Sequence, residues 1–286
     1  MYYISYATAN DDPLFYYDRI HLFRMTRLDS GTNNVKIFIS ISKVTDVTVC
    51  QEEIINEIIA ETNKMSQGRL RIYDVEFKSN IGRDFSSHSC NLKKIAKIAN
   101  DGDSVLFLNR SAYGPLTKNW YLAYLNQAAK YNNVAICGST INLSGHPDIF
   151  QALQNQTHVQ TYAFLSNFPF LFKFVECFPA EKCIERLDVI KNGEIALSQE
   201  AFLFGYQITS LAWPDMSLTR ENFKASNYPT YDIKSDLLWV SNLPFRYKYD
   251  GYDRKVLSKI PVIKSNILKC RISLLKLARQ LNMCKQ

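Results

Sequence analysis

The chain has 286 residues, 47% of them hydrophobic, 13% aromatic and 21% charged, with 10 Gly and 9 Pro. That supports a sizeable core and excludes a disordered, collagen-like or low-complexity chain. The net charge of +7 is unevenly placed: nine Lys/Arg and no acid lie from Arg254 onward, so +7 − 9 leaves about −2 on residues 1–253. A near-neutral body with a basic tail argues against a nucleic-acid-binding protein.

No period of a solenoid repeat runs along the chain. The opening MYYISYATAN lacks the basic, apolar and small-residue order of a secretory signal. The longest uncharged stretch, Ile149 to Phe172, is interrupted by Gln, Asn, Thr and His and makes a poor membrane span. Cysteines at 50, 90, 137, 177, 183, 270 and 284 form no CxxC pair. Free thiols in a reducing cytosol are expected, and a structural zinc site is not.

In chain order, Met1–Ala7 and Val35–Ile41 are β-rich apolar runs, the second following the turn-like GTNN. Glu52–Met65 spaces Ile54, Ile55, Ile58 and Ile59 as an amphipathic helix. Leu70–Phe77 alternates as a strand, and Phe85–Ile98 reads as a helix that Asp84 or Ser86 can cap. Ser104–Leu108 and Val134–Cys137 are short continuous apolar strands of the kind buried on both faces, with a helix over Lys118–Lys130 between them. Residues 150–206 read as mainly helical, with a strand near Ile208–Trp213. Strand and helix alternate. The pattern predicts an α/β fold, a mostly parallel sheet flanked by helices, in one domain over 1–250 with a tail over 251–286.

In such sheets ligands bind beyond the carboxyl ends of the strands. Three loops occupy that position. The first, Ser79-Asn80-Ile81-Gly82-Arg83-Asp84, opens directly into a helix: Gly82 permits a tight turn, Arg83 can neutralise a phosphate, and Asp84 can cap or accept from a sugar or base. The second is Asn109-Arg110-Ser111-Ala112-Tyr113-Gly114-Pro115, and the third Gly138-Ser139-Thr140-Ile141-Asn142. Further along, Glu194 follows Gly193 at an expected helix start, where a carboxylate is favoured by the dipole. Glu194 and Ser198 are four residues apart and share a helical face.

Five ordered segments, SNIGRDFSSH, LFLNRSAYGP, VAICGSTINL, THVQTYAF and GEIALSQEAFLFGYQI, together resemble those of the rhamnan-synthesis-type glycosyltransferases of surface-polysaccharide pathways, over roughly residues 1–213. The resemblance implies a GT-A-like (Rossmann-like) fold. It also implies transfer of a sugar from a nucleotide donor, dTDP-rhamnose in the nearest case, to a surface-polysaccharide or lipopolysaccharide acceptor. It places Asn80, Gly82, Arg83 and Asp84 near the donor nucleotide, and Asn109, Ser111 and Gly114 near its diphosphate and sugar. His158, Gln160 and Glu194 fall on the acceptor side, with Ser198 and Glu200 beside them. The catalytic expectation is Glu194 as general base, with His158 and Asp84 as further catalytic groups and Glu200 as a substitute base.

One departure from the metal-dependent pattern matters. An Asp-x-Asp usually ends the fourth core strand and holds a divalent ion against the diphosphate. Here Asn109 and Ser111 stand in its place, and the literal Asp101-Gly102-Asp103 precedes the strand. No metal ligand is assigned, and the replacement puts dependence on a divalent metal in doubt; Arg83 or Arg110 is expected to neutralise the diphosphate instead. The same departure keeps a rival open, a non-catalytic nucleotide- or glycan-binding protein on the same fold.

Between Ile263 and Met283, Ile267, Leu268, Ile272, Leu274, Leu275, Ala278 and Leu281 recur at three- and four-residue spacing, interleaved with Lys and Arg. This predicts a basic amphipathic helix that lies on an anionic membrane surface. The expectation is a cytoplasmic protein, peripheral on the inner face of the cell membrane through residues 260–286, with a glycan or lipid-linked glycan acceptor.

Overall fold

A computed structural model describes residues 1–143, 150, 156–222 and 242–247. The chain divides into compact units Met1–Arg246 and Tyr247–Gln286. Apart from Tyr247 the second unit lies outside the described residues, and with it the expected basic helix.

The elements of the first unit begin β1 (Tyr2–Ala9), α1 (Tyr16–Arg27), β2 (Val35–Lys43), α2 (Val49–Met65), β3 (Leu70–Ser79), α3 (Arg83–Ile95) and β4 (Ser104–Asn109). They continue β5 (Ala112–Tyr113), α4 (Trp120–Ala129), β6 (Val134–Gly138), β7 (Ile141–Asn142), β8 (His158–Val159) and β9 (Ala163–Asn167). After short turns at Phe168–Leu171 (α5) and Arg186–Val189 (α6), a π-helical turn over Ile190–Ile195 leads into α7 (Ala196–Leu203), β10 (Gln207–Ser210) and β11 (Ser217–Leu218).

The main sheet has eight strands in the order β11-β10-β6-β9-β4-β1-β2-β3. β1 is parallel to β2 and β4, β2 to β3, and β10 to β6. β9 runs antiparallel between β4 and β6, and β11 antiparallel along β10. This is the mostly parallel, helix-flanked α/β architecture that the sequence predicts. The chain builds outward from β1 through β2 to β3, then returns to β1's other side for β4. The reversal opens the crevice where such sheets bind ligands, outside the ends of β1 and β4.

Alternation along β1 assigns the faces. Ser5 meets His88 of α3 at 2.8 Å, whereas Tyr6 donates to Asp18 of α1 at 2.8 Å. The α3 side holds an aromatic core of Tyr3, Phe38, Phe85, Phe107, Phe164 and Phe178, in which Phe107 and Phe164 stack at 4.6 Å. α2 begins at a capping box, Thr48 with Gln51, before its isoleucine stripe docks.

Two expectations are corrected. Residues 150–206 are not mainly helical, since β8 and β9 lie in them and β9 is a central strand. α3 is capped by neither Asp84 nor Ser86: its N-cap is Gly82, at φ 72° and without a side-chain bond, and Asp84 lies inside the first turn. Asp101-Gly102-Asp103 sits at the edge where β4 starts, away from the strand ends. Buried Asp103 takes the Asn100 N–H at 2.9 Å and pairs with the Met1 amine.

Candidate functional site

β1, β2, β3, β4, β6 and β10 all end on one edge, at Ala9, Lys43, Ser79, Asn109, Gly138 and Ser210. β9 starts there, so Gln160, Thr161 and Tyr162 reach the same edge from the opposite direction. Asp84 enters from α3. The Asn109 side-chain amide donates to its Oδ2 at 2.7 Å, tying the end of β4 to the first turn of α3. Burial pushes the Asp84 carboxyl above the usual carboxylate range, against the Asn109 hydrogen bond.

Glu194 arrives from a different element and from farther along the chain. It lies inside the π-helical turn rather than at a helix start, as the sequence predicted. Helical irregularities of this kind cluster at functional sites because the extra residue re-aims a side chain. Gly193, one residue earlier, makes the approach possible. A Cβ there would come within 2.8 Å of Cζ of Phe85 and 3.0 Å of Cβ of Ala180. This close packing brings the π-helical turn against α3, and Glu194 lies within electrostatic reach of Asp84. Burial raises the Glu194 carboxyl to about 7, the Asp84 charge adds to the rise, and Arg186 and a hydrogen bond from Thr161 oppose it. Glu194 therefore exchanges its proton near neutral pH.

His158 faces the same carboxylate. Its Nε2 lies 3.9 Å from Glu194 Oε2, and the ring is 1% exposed against 29% for Glu194. Nδ1 lies within hydrogen-bond distance of the Gln156 carbonyl, which can only accept. That bond puts the neutral ring's proton on Nδ1 and turns the Nε2 lone pair toward Glu194. The structure thus brings together Asp84, Asn109, His158 and Glu194.

The other residues singled out by sequence are placed as follows. Asn80 and Arg83 are exposed in the loop before α3. Gly82 is buried, donates its N–H to Cys183 at 2.8 Å, and packs so tightly that a Cβ would lie 2.2 Å from the Glu181 carbonyl. It packs against the 180–183 segment. Gly114 is likewise covered, because a Cβ there would lie 2.4 Å from the Pro244 carbonyl. Ser111 gives its N–H to Asn109 Oδ1 at 2.9 Å. Gln160 accepts from Thr140 Oγ1 at 2.6 Å. Ser198 is buried and accepts the Val159 N–H at 3.0 Å, which fixes β8 rather than an acceptor. α7 carries Glu200 away from the strand ends, toward the start of β10.

Residues that the sequence did not single out also matter. Thr161 and Arg186 bear directly on Glu194. Lys78 donates to the carbonyls of Ser79 at 2.8 Å and Ile81 at 3.2 Å, and so holds the loop before α3 in shape. Burial lowers its ammonium to about 8. Only the alternation of β3, which puts Lys78 and Glu76 on one face, pointed toward it.

At the Asp-x-Asp position the Asn109 side chain is engaged within the chain. Asn109 spends its amide nitrogen on Asp84 and its oxygen on the Ser111 N–H. Among the described residues no group of three His, Cys, Asp or Glu is arranged to hold a metal.

No family model matches the chain, and no curated protein matches it in sequence. Among solved structures it is similar to the apo form of mouse xyloside xylosyltransferase 1, at 10% identity over 60% of this chain and 68% of that one, with a TM-score of 0.38. It is also similar to the apo structure of the bifunctional glycosyltransferase WbbM, at 11% identity and a TM-score of 0.38. That match covers 74% of this chain, which spans 39% of the WbbM chain. Both of those proteins are glycosyltransferases.

Proposed function

We propose that the chain is a glycosyltransferase that moves a sugar from a nucleotide donor to a glycan acceptor. One observation carries the reading: Glu194, its carboxyl raised to about 7, lies within electrostatic reach of Asp84, which Asn109 ties to the end of β4. The order of the five sequence segments supports it.

In this reading the Glu194 carboxylate accepts the proton of an acceptor hydroxyl as that oxygen attacks the anomeric carbon of the donor sugar. The bond from that carbon to the diphosphate oxygen breaks, and the diphosphate leaves with its electron pair. A base with a pKa near the working pH combines a large deprotonated fraction with useful basicity. His158, held as its Nδ1–H tautomer, faces the Glu194 carboxyl with its Nε2 lone pair, which can accept a hydrogen bond once Glu194 has taken up the proton. Asp84, steadied by Asn109, stands at the sugar and accepts from its hydroxyls. A dTDP-rhamnose donor, a surface-polysaccharide or lipid-linked acceptor, and peripheral membrane attachment through residues 260–286 complete the proposal. Attachment by that segment fits the absence, among the described residues, of a helix long and apolar enough to cross a membrane.

The test is donor turnover, read as release of nucleoside diphosphate from a panel of nucleotide sugars with oligosaccharide acceptors. Glu194→Gln is expected to lose about 10²–10⁴ in turnover while donor binding survives, the loss typical of a removed general base. Nucleotide binding with no turnover by the wild-type chain on any donor supports the non-catalytic alternative instead.

A further inference from the structure

Arg110 directly follows the last residue of β4, in the crevice between β1 and β4. Its neighbour Asn109 turns toward Asp84 on the α3 side. Arg110 turns the other way, across the end of β1. Nη1 donates to the Ala9 carbonyl at 3.1 Å and to Asp11 Oδ1, and Nη2 donates to Asp11 Oδ2 at 3.1 Å. The buried carboxyl of Asp18 and the Tyr6 hydroxyl, themselves hydrogen-bonded at 2.8 Å, lie behind the guanidinium within electrostatic reach. The strand-end edge therefore offers a carboxylate pair on one side of β4 and a forked cation on the other.

The Arg110 side chain is 21% exposed and that of Asp11 48%. The arginine is anchored from below by a backbone carbonyl, while the aspartate reaches it from the solvent side. Asp11 engages both terminal nitrogens, the same two-point geometry that a pair of phosphate oxygens presents. A half-exposed ion pair contributes little to stability, so a ligand with more charge can displace the carboxylate at small cost.

We propose that Arg110 receives the diphosphate of the donor, and that Asp11 is an internal stand-in for that diphosphate, released when the donor binds. This rests on the glycosyl-transfer reading and extends it by separating the two arginines that the sequence left as equals: the crevice belongs to Arg110, and Arg83 is exposed at the start of α3. It assigns charge neutralisation at the leaving group to a guanidinium fork, at the strand end where Asn109 and Ser111 replace the Asp-x-Asp. It also makes Asp11 a positioning residue: in the empty site it holds the fork open in the geometry the diphosphate needs, at the expense of some donor affinity.

The experiment compares, on the full-length chain by calorimetry, the affinities of UDP, dTDP and GDP with those of the corresponding nucleosides, and of inorganic pyrophosphate. In the wild type one nucleoside diphosphate should bind more tightly than its nucleoside. Arg110→Gln should erase at least tenfold of that difference and leave nucleoside affinity unchanged. Asp11→Asn should do the opposite and tighten nucleoside diphosphate and pyrophosphate by about threefold to tenfold, because the competing charge is gone. Arg110→Lys, which keeps the charge without the fork, should recover only part of the loss. If Arg110→Gln does not fold, the Asp11→Asn and Arg110→Lys results decide alone. An unchanged preference for the diphosphate in Arg110→Gln, or no gain in Asp11→Asn, overturns the proposal and leaves the glycosyl-transfer reading standing. Failure of every nucleotide and of pyrophosphate to bind the wild type refutes both.

Discussion

Replacing Glu194 by glutamine should raise stability at neutral pH and remove activity, and the pH dependence of the stability gain can be worked out. The carboxyl has an ordinary value of 4.5 and is raised to about 7 in the fold, first by burial and then by Asp84. A raised carboxyl is a protonated group that the fold favours. Its contribution is fully present below pH 4.5, and is lost as the pH rises through about 7. A shift from 4.5 to about 7, at about 1.4 kcal/mol per pH unit, corresponds to ~3 kcal/mol of stability lost by the wild type across that window. Glutamine has no charge to bury, and its carbonyl oxygen can still accept from Thr161. The stability difference between Glu194→Gln and wild type should therefore grow by ~3 kcal/mol between pH 4 and pH 8. Urea denaturation of both proteins at half-unit pH steps measures this directly, because titrating groups not coupled to Glu194, Asp18 among them, cancel in the difference, and Asp84, whose charge acts on Glu194, stays part of it. A difference that stays flat across the window would mean that Glu194 titrates like a surface carboxylate, and the assignment of the base would fall with it.

Other outcomes follow from the same contacts. Asp84→Asn removes the neighbouring charge, so the Glu194 pKa should fall below about 7, as read by carboxyl NMR titration; no movement would separate the two groups. Gly193→Ala forces a methyl against the Phe85 ring and should cost about 1–3 kcal/mol in thermal unfolding, with loss of turnover as Glu194 is pushed out of register. Asn109→Ala strips the 2.7 Å hydrogen bond from Asp84 and should lower stability by about 1.5–3 kcal/mol at pH 8, and by less at pH 4, where the carboxyl is protonated. Deleting residues 260–286 should abolish co-sedimentation with anionic liposomes; equal binding of both forms would exclude the tail as the membrane contact.

How much of this was legible in the sequence depends on which interactions define each part. β2, β4 and β6 could be read directly, because buried parallel strands are short apolar runs bounded by turns. β9 could not. Its AFLSN lies within the aromatic run YAFLSNFPFLFKF, where neither period dominates, and it is a strand only because β4 and β6 are there to pair with it. α1 escaped for the opposite reason: its buried face includes Asp18, His21 and Thr26 within an otherwise apolar stripe, and Asp18 and His21 bond the Tyr6 hydroxyl. Asp84, Asn109 and Glu194 were accessible as residue types near strand ends, but the Gly193–Phe85 packing that brings the π-helical turn against α3 is a contact between distant parts of the chain. At Gly82 and Gly114 the close approach of Glu181 and Pro244 could not be read from the sequence, because each partner lies far along the chain.

The account stands most directly on whether the crevice binds a nucleotide. Thermal unfolding of the full-length chain with UDP, dTDP, GDP and CMP, each with Mn²⁺ and with EDTA, tests it. A nucleotide at about 100 times its dissociation constant adds roughly 2.7 kcal/mol, a shift of several degrees. The account predicts stabilisation by one nucleotide that survives EDTA and is reduced in Arg110→Gln. Absence of a shift with all four would contradict it.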